Sequence, residues 1–473
     1  MKVKPSEFLL SKKEELKRLV SELKKDFYYV SVLGTDVTGS AYSVKKSGIS
    51  AKPSPDTEKG FVVRVFQDIG FSEYSFNHLD VEQAVRKVKE IAKEDRERYV
   101  KNNLFLEYPA VPQDEKITKE FFSEVKNLPE EDKPDEIIRK LTEIHSDVMK
   151  KHPDLLELQV SLTTTQVNKI FISENKDLYQ SYVYSTGYGV AVAGDEHTTK
   201  NDFLAVSGLC GSELIEELEE KVYQAAERAK ELLHSEKVVL GTYDIICDPD
   251  FTGLIAHEAF GHGAEMDMFV KERAKGQEYV NKRVASDKVF MHDGATACEE
   301  VSTYLFDDEG NLGKDTLIID KGILKTGMCD ELSALQLGVE PTGNGKRESY
   351  KRKAYTRMTN TFFEEGTDSL DEMIASIQYG YLLEGFSSGM EDPKNWGIQC
   401  VASKGREIKD GKLTGRIVSP LYLTGYVPEL LESITMVSPG LKLSGSGYCG
   451  KGWKEWVKTS TGGSYIKAKG RLN

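Results

Sequence analysis

The stretch ELIEELEEKVYQAAERAKELLHSEKVVLGTYDIICDPDFTGLIAHEAFGHGAEMD, Glu213–Asp267, decides how the chain divides and where its chemistry lies. Its first part predicts a long amphipathic helix over Glu213–Ser235, because Leu214, Leu218, Val222, Ala225, Ala229 and Leu232 recur at helical spacing among Glu and Lys. Beyond Gly241 the texture changes. Short apolar runs (YDIICD, TLIIDKGIL, QCVASKG, SPLYLTGYV) alternate with Gly, Asp and Ser, the pattern of a β-rich region with many turns. With 473 residues the chain is too long for a single core. The expected division is an amino-terminal α/β region over residues 1–235, with a sub-boundary in the proline-bearing segment 104–117, and a β-rich domain over residues 236–473.

Upstream, Phe8, Leu9, Leu16, Leu19, Val20 and Leu23 predict a first helix. Strands are expected at Phe27–Leu33, Ser40–Ser47 and Gly60–Ile69, with a turn at Gly34–Gly39. Helices are expected over 80–103 and 134–151. Further strands fall at Leu155–Thr165, Lys169–Ser173 and Tyr182–Val192. The fold class is therefore α+β, with an antiparallel sheet in the amino-terminal region.

Within the opening stretch, His257 and Glu258 are adjacent on an apolar, helix-like lead-in, and His262 follows five residues after His257. On a regular α-helix five residues turn through about 500°, leaving the two imidazoles about 140° apart. A shared metal therefore requires the helix to end or widen into a π-turn, and the break is expected at Phe260–Gly263, where Gly261 and Gly263 flank His262. Without such a break, the pair reads as two unrelated histidines. A catalytic zinc takes three protein ligands and leaves one position open. The candidates for the third are Glu265, Asp267, His292 and a cysteine. Cys449 stands out among the six cysteines because SGSGYCGKG surrounds it with glycines, which let the backbone approach closely; the alternative is a turn cysteine without a role. Arg347 and Arg357 are candidates for holding a peptide carboxylate or carbonyl, against the alternative of structural ion pairs. Trp453, Trp456 and Tyr465 either line a channel or pack a core.

Composition narrows the classes. Net charge is −14, which argues against a dedicated nucleic-acid binder. No run approaches the ~18 apolar residues of a membrane span. The charged start MKVKPSEFLLSKKEELKRLV has no apolar signal core, and the scattered cysteines suit reduced thiols, so a cytoplasmic location is expected.

HEAFGHGAEMD resembles the H-E-x-x-x-H signature of the TldD/PmbA metallopeptidases. TGNGKRESY (Thr342–Tyr350), TRMTNT (Thr356–Thr361), FDDEG (Phe306–Gly310) and GYCG (Gly447–Gly450) resemble further blocks of that family, in the same order, over most of residues 240–455. The resemblance is to the branch that carries the metal motif. It implies His257, His262 and Cys449 as zinc ligands and Glu258 as the general base of a peptidase acting on small or unfolded peptides. It also implies a homodimer, or a heterodimer with a metal-free relative. A metal-dependent amide hydrolase that matures modified peptides, and a non-catalytic peptide-binding or partner-stabilising subunit, are the competing readings. Lys346 and Met266 stand where the family usually has Arg and Gly, and the segment after Gly450 is bulkier and more basic than usual.

Overall fold

In a computed structural model of the chain, residues 1–66, 68–103, 115–452 and 454–473 are described. The amino-terminal part is an eight-stranded sheet in the order β4-β3-β1-β6-β7-β5, with β2 on β1 and β8 on β7. The strands are β1 (Tyr29–Lys45), β2 (Gly48–Pro53), β3 (Glu58–Phe66), β4 (Phe71–Phe76), β5 (Ile117–Phe122), β6 (Leu155–Ser173), β7 (Lys176–Gly194) and β8 (Thr199–Gly208). Every pairing is antiparallel except β5 on β7.

Two expected breaks are absent. The turn at Gly34–Gly39 does not form; β1 runs straight through it, and β6 likewise runs unbroken through Gln166–Asn168. Gly34 serves packing rather than turning, since a Cβ there would lie 2.8 Å from Ile170 Cγ2 and 3.1 Å from a Leu9 methyl. The segment 104–117 lies mostly outside the described residues.

One face of the sheet is covered by helices. α1 (Glu7–Leu23), started by Ser6 accepting the Leu9 N–H at 3.1 Å, and α2 (Val81–Lys101) cover one end. α3 (Pro134–Lys151) and α4 (Ile215–Leu233) cover the other, burying Leu218, Val222 and Ala225 against Leu158, Val160 and Ala191. Each large apolar side chain buried this way contributes about 2 kcal/mol before the entropy of ordering it. The opposite face meets the carboxy-terminal part: Val37, Val167, Tyr182 and Tyr184 pack on Val301 and Tyr304, and Leu33 and Phe171 on Phe306. Contact on both faces explains why β1 is buried without alternation from Val30 to Val37, its polar residues included.

In the carboxy-terminal part, β9 (Gly241–Cys247) pairs with strands Tyr379–Asp392 and Ile466–Leu472. Strand Leu421–Tyr426 joins Ile466–Leu472 to strand Gly397–Lys409, and Gly397–Lys409 pairs back on Tyr379–Asp392. These five strands close into a barrel, which leaves no free edge among them. Among the described residues no helix is long and apolar enough to cross a membrane.

Candidate metal centre

The site begins where β9 ends. Asp248 caps α5 (Pro249–Ile255) by accepting the Phe251 N–H at 2.8 Å, and its other oxygen accepts the Gly385 N–H at 2.8 Å, tying the helix start to the barrel. The helix is buried from Phe251 on, and Gly253 allows it to lie against strand Ser460–Gly463, where a Cβ would come within 2.8 Å of the Gly462 amide. At Ala256 the helix widens. Residues Ala256–Gly261 form a π-turn in which the His262 N–H donates to His257 O, and a 3₁₀ turn follows over His262–Ala264. In a π-turn residues five apart stack above one another, as residues four apart do in an α-helix. The His257 and His262 rings accordingly face each other at 5.0 Å between centroids. The widening starts four residues before the expected break, because the extra residue is taken up by the whole turn and not at the glycine alone.

Cys449 arrives from the far end of the chain on strand Tyr448–Lys451, which forms a hairpin with Lys454–Lys458. Its Sγ lies 3.2 Å from His257 Nε2 and 3.4 Å from His262 Nε2. A zinc ion with ordinary Zn–N and Zn–S bonds and tetrahedral angles would separate N from S by about 3.6 Å, so this triangle needs little adjustment to hold one. Two imidazoles and one thiolate also suit the chemistry of that metal. The other candidate ligands are engaged elsewhere. Glu265 bonds His262 Nδ1 at 3.1 Å, Asp267 is held by Lys451 at 2.8 Å and Lys271 at 2.9 Å, and His292 sits between Asp315 and Glu364 at 2.6 Å each.

Glu265 fixes the His262 ring from behind, the role a carboxylate commonly plays beside a metal-binding histidine. Burial would raise its carboxyl, but Lys451, His262 and Arg357 outweigh that and hold it well below the usual range. Burial would raise the Cys449 thiol too, yet the imidazoles of His262 and His257 hold it well below its ordinary value. The histidines move the other way: against burial, Cys449 holds both above theirs, with Glu265 adding to the effect on His262. These shifts favour a charged sulfur and protonated rings, so binding of a cation there would compete with protons on the imidazoles.

Glu258 is half-buried and faces the same space. Its carboxylate, His262 and Glu391 bring ligand atoms within 4.8 Å of one another. Glu391, on strand Tyr379–Asp392, hydrogen-bonds Glu258; burial pushes its carboxyl up to about 7, with His262 opposing and Glu258 reinforcing. Gly389 permits this approach, as a Cβ there would lie 2.5 Å from Glu258 Cγ. Nothing in GMEDPKN (Gly389–Asn395) signals Glu391 locally; only barrel closure brings it to the site.

Residues 240–468 match the PmbA/TldA metallopeptidase C-terminal domain. The metalloprotease MJ0996 of Methanocaldococcus jannaschii is 27% identical over 428 residues, covering 89% of this chain and 92% of that one. The carboxy-terminal half matches the TldD/PmbA family. It is a family of metallopeptidases, in keeping with the donor set. The metalloprotease TldD homolog of Buchnera aphidicola subsp. Acyrthosiphon pisum is 36% identical over 46% of this chain and 45% of its own length. The zinc metalloprotease TldD homolog of Saccharolobus solfataricus is 32% identical over 48% of this chain and 51% of its own. The chain thus spans about half the length of these two relatives. In fold, it is similar to TldE from Thermococcus kodakarensis, with a TM-score of 0.74 and 18% identity over 97% of this chain and 99% of that one.

Both arginines are buried and paired with carboxylates. Arg357 is wholly buried; its Nε is 3.4 Å from Glu265, so it backs the carboxylate that backs His262. Arg347 is 8% exposed and clamps Glu73 of β4 with two bonds, 2.6 and 2.9 Å, across the boundary between the sheet and the carboxy-terminal part. Removing one partner of such a buried pair strands the other charge. Arg347→Ala is expected to destabilise the protein by about 3 kcal/mol in denaturant unfolding, and a loss below about 0.5 kcal/mol would show that the clamp carries no weight. Tyr465 packs beside Met373 and Ile377, Trp456 is 47% exposed beside the Cys449 hairpin, and Trp453 lies outside the described residues.

Proposed function

We propose that this chain is a zinc-dependent peptidase in which His257, His262 and Cys449 hold the metal and Glu258 is the general base. The observation that carries the reading is the convergence of three donors from two distant segments, with Cys449 Sγ 3.2 and 3.4 Å from the two imidazole nitrogens, all three within 4.8 Å of one another, and a carboxylate beside them. A zinc ion held there supplies Lewis acidity, polarising the scissile carbonyl and making water easier to deprotonate. Glu258 takes the proton of the attacking water and delivers it to the leaving amine. Glu265 holds His262 in the tautomer that leaves Nε2 free for the metal. The name of the Saccharolobus relative supports zinc.

Small or unfolded peptides are the substrates in this reading, since only an extended chain brings its backbone to a half-buried carboxylate and to donors of which two, His257 and Cys449, are buried. A homodimer, or a heterodimer with a metal-free relative, is the expected assembly, and the cytoplasm the expected location. The division near residue 236 is kept, with residues 1–235 as platform and 236–473 as catalytic part. The test is hydrolysis of an unfolded peptide pool before chelation, after chelation and after zinc is restored. Cleavage should vanish with the metal and return with it. A fully zinc-loaded protein that cleaves no peptide would favour the peptide-binding subunit instead.

A further inference from the structure

The back of the Cys449 hairpin, away from the metal, borders a second cavity. Successive strand residues point to opposite faces, and the pairing sets Cys449 opposite Val457 and Tyr448 opposite Lys458. Tyr448 and Lys458 line a cavity of about 110 Å³ at the seam between the amino-terminal sheet and the carboxy-terminal part. At about 30 Å³ each, such a volume holds roughly four waters, about the bulk of an amino acid or the smallest dipeptide. A wider surface groove lined by Lys59, Tyr350 and Arg352 shares Glu58, Tyr448 and Trp456 with the cavity, giving it a way in.

Two groups in this cavity make no ion pair among the described residues. The Lys458 ammonium makes no hydrogen bond and no ion pair among the described residues; it lies over the Tyr448 ring at 4.4 Å and the Tyr184 ring at 5.9 Å. Burial pulls it down to about 8, against the more distant pull of Asp56 and Glu300. Asp56 does not neutralise it, because its carboxylate is engaged by the hydroxyls of Tyr184 and Tyr448. Glu58 lines the same cavity and has no ion pair either. Its carboxylate accepts the Tyr350 N–H at 3.2 Å and the Ser349 hydroxyl, and burial pushes it up to about 7 against the pull of the Lys169 ammonium, which is itself paired with Asp308. Keeping two opposite charges half-compensated in one cavity is costly unless something between them completes both. The Tyr182 hydroxyl, also without a hydrogen bond among the described residues, adds a donor on the same wall.

We propose that the seam cavity is a binding site for a small zwitterion, a free amino acid or dipeptide, with its carboxylate on Lys458 and Tyr182 and its ammonium on Glu58. The occupant rests on the back of the strand that carries Cys449. Such a ligand is what a peptidase releases, but the site stands on its own residues, and its test reads binding rather than hydrolysis.

The test is calorimetric titration of the zinc-loaded full chain with glycylglycine, N-acetyl-glycylglycine and glycylglycinamide. Glycylglycine should bind, and each capped compound, lacking one of the two charges, should bind about tenfold more weakly or worse. Lys458→Met and Glu58→Gln should each weaken glycylglycine by a similar factor while zinc content stays at the wild-type level, which separates this site from the metal centre. Absence of glycylglycine binding to the wild type, equal binding of either capped compound, or undiminished binding by zinc-replete variants would overturn the proposal. Should either variant fail to fold, the capped series on the wild type decides alone.

Discussion

Glu258→Gln should lower kcat by about a hundredfold to ten-thousandfold, the range general acid–base catalysis supplies, while zinc content stays unchanged. The two halves of this expectation have separate grounds. Glu258 is not one of the three donors gathered at Cys449 Sγ, which lies 3.2 and 3.4 Å from the two imidazole nitrogens, so its loss leaves the metal set intact. Its amide replacement is isosteric, which matters because Gly389 leaves no spare room against its Cγ, and the amide can still donate to Glu391. What the amide cannot do is accept a proton from water. KM should change little, and the loss should fall on kcat. Substantially normal turnover by a zinc-replete Glu258→Gln protein would move the base to another group, and Glu391 is the first to examine because it shares the same space.

Cys449→Ser should weaken zinc binding by more than about a hundredfold and remove hydrolysis with it. Loss of an outer-sphere partner alone costs metal sites about 10–100-fold, and Cys449 is the only anionic donor of the three. The serine hydroxyl stays protonated at neutral pH and cannot replace a thiolate that the two imidazoles hold charged. The same electrostatics fixes the sign of the pH dependence. Cys449 is held below its ordinary value and the histidines above theirs, so zinc uptake releases protons from the rings and weakens as the pH falls through their raised range. Competition with a chromophoric chelator reads both effects. A serine variant that keeps one equivalent at wild-type affinity would remove Cys449 from the ligand set.

The opening stretch made much of this legible. The stripe from Leu214 to Leu232 is buried as its spacing requires, and the i, i+5 histidines demanded a distortion that the π-turn supplies. What the sequence hid is tertiary in origin. Gly34 looks like a turn residue when read alone, yet it exists to let Leu9 and Ile170 close over the sheet. Glu391 has no local signature, because its role depends on a strand that closes the barrel against residues 397–409. Glu265 was visible within the motif, but whether it binds metal or steadies His262 is a matter of about one side-chain length, which spacing does not encode. Arg347 and Arg357 drew notice for their charge, and their partners, Glu73 and Glu265, lie hundreds or tens of residues away in sequence.

The central claim is that one zinc ion is bound by two imidazole nitrogens and one cysteine sulfur. X-ray absorption at the zinc edge of the stoichiometrically loaded protein reads that first shell directly. The expected spectrum contains one sulfur at about 2.3 Å and two imidazole nitrogens at about 2.0–2.1 Å, with the sulfur contribution gone in Cys449→Ser. A shell of nitrogen and oxygen alone in the wild-type protein would contradict it.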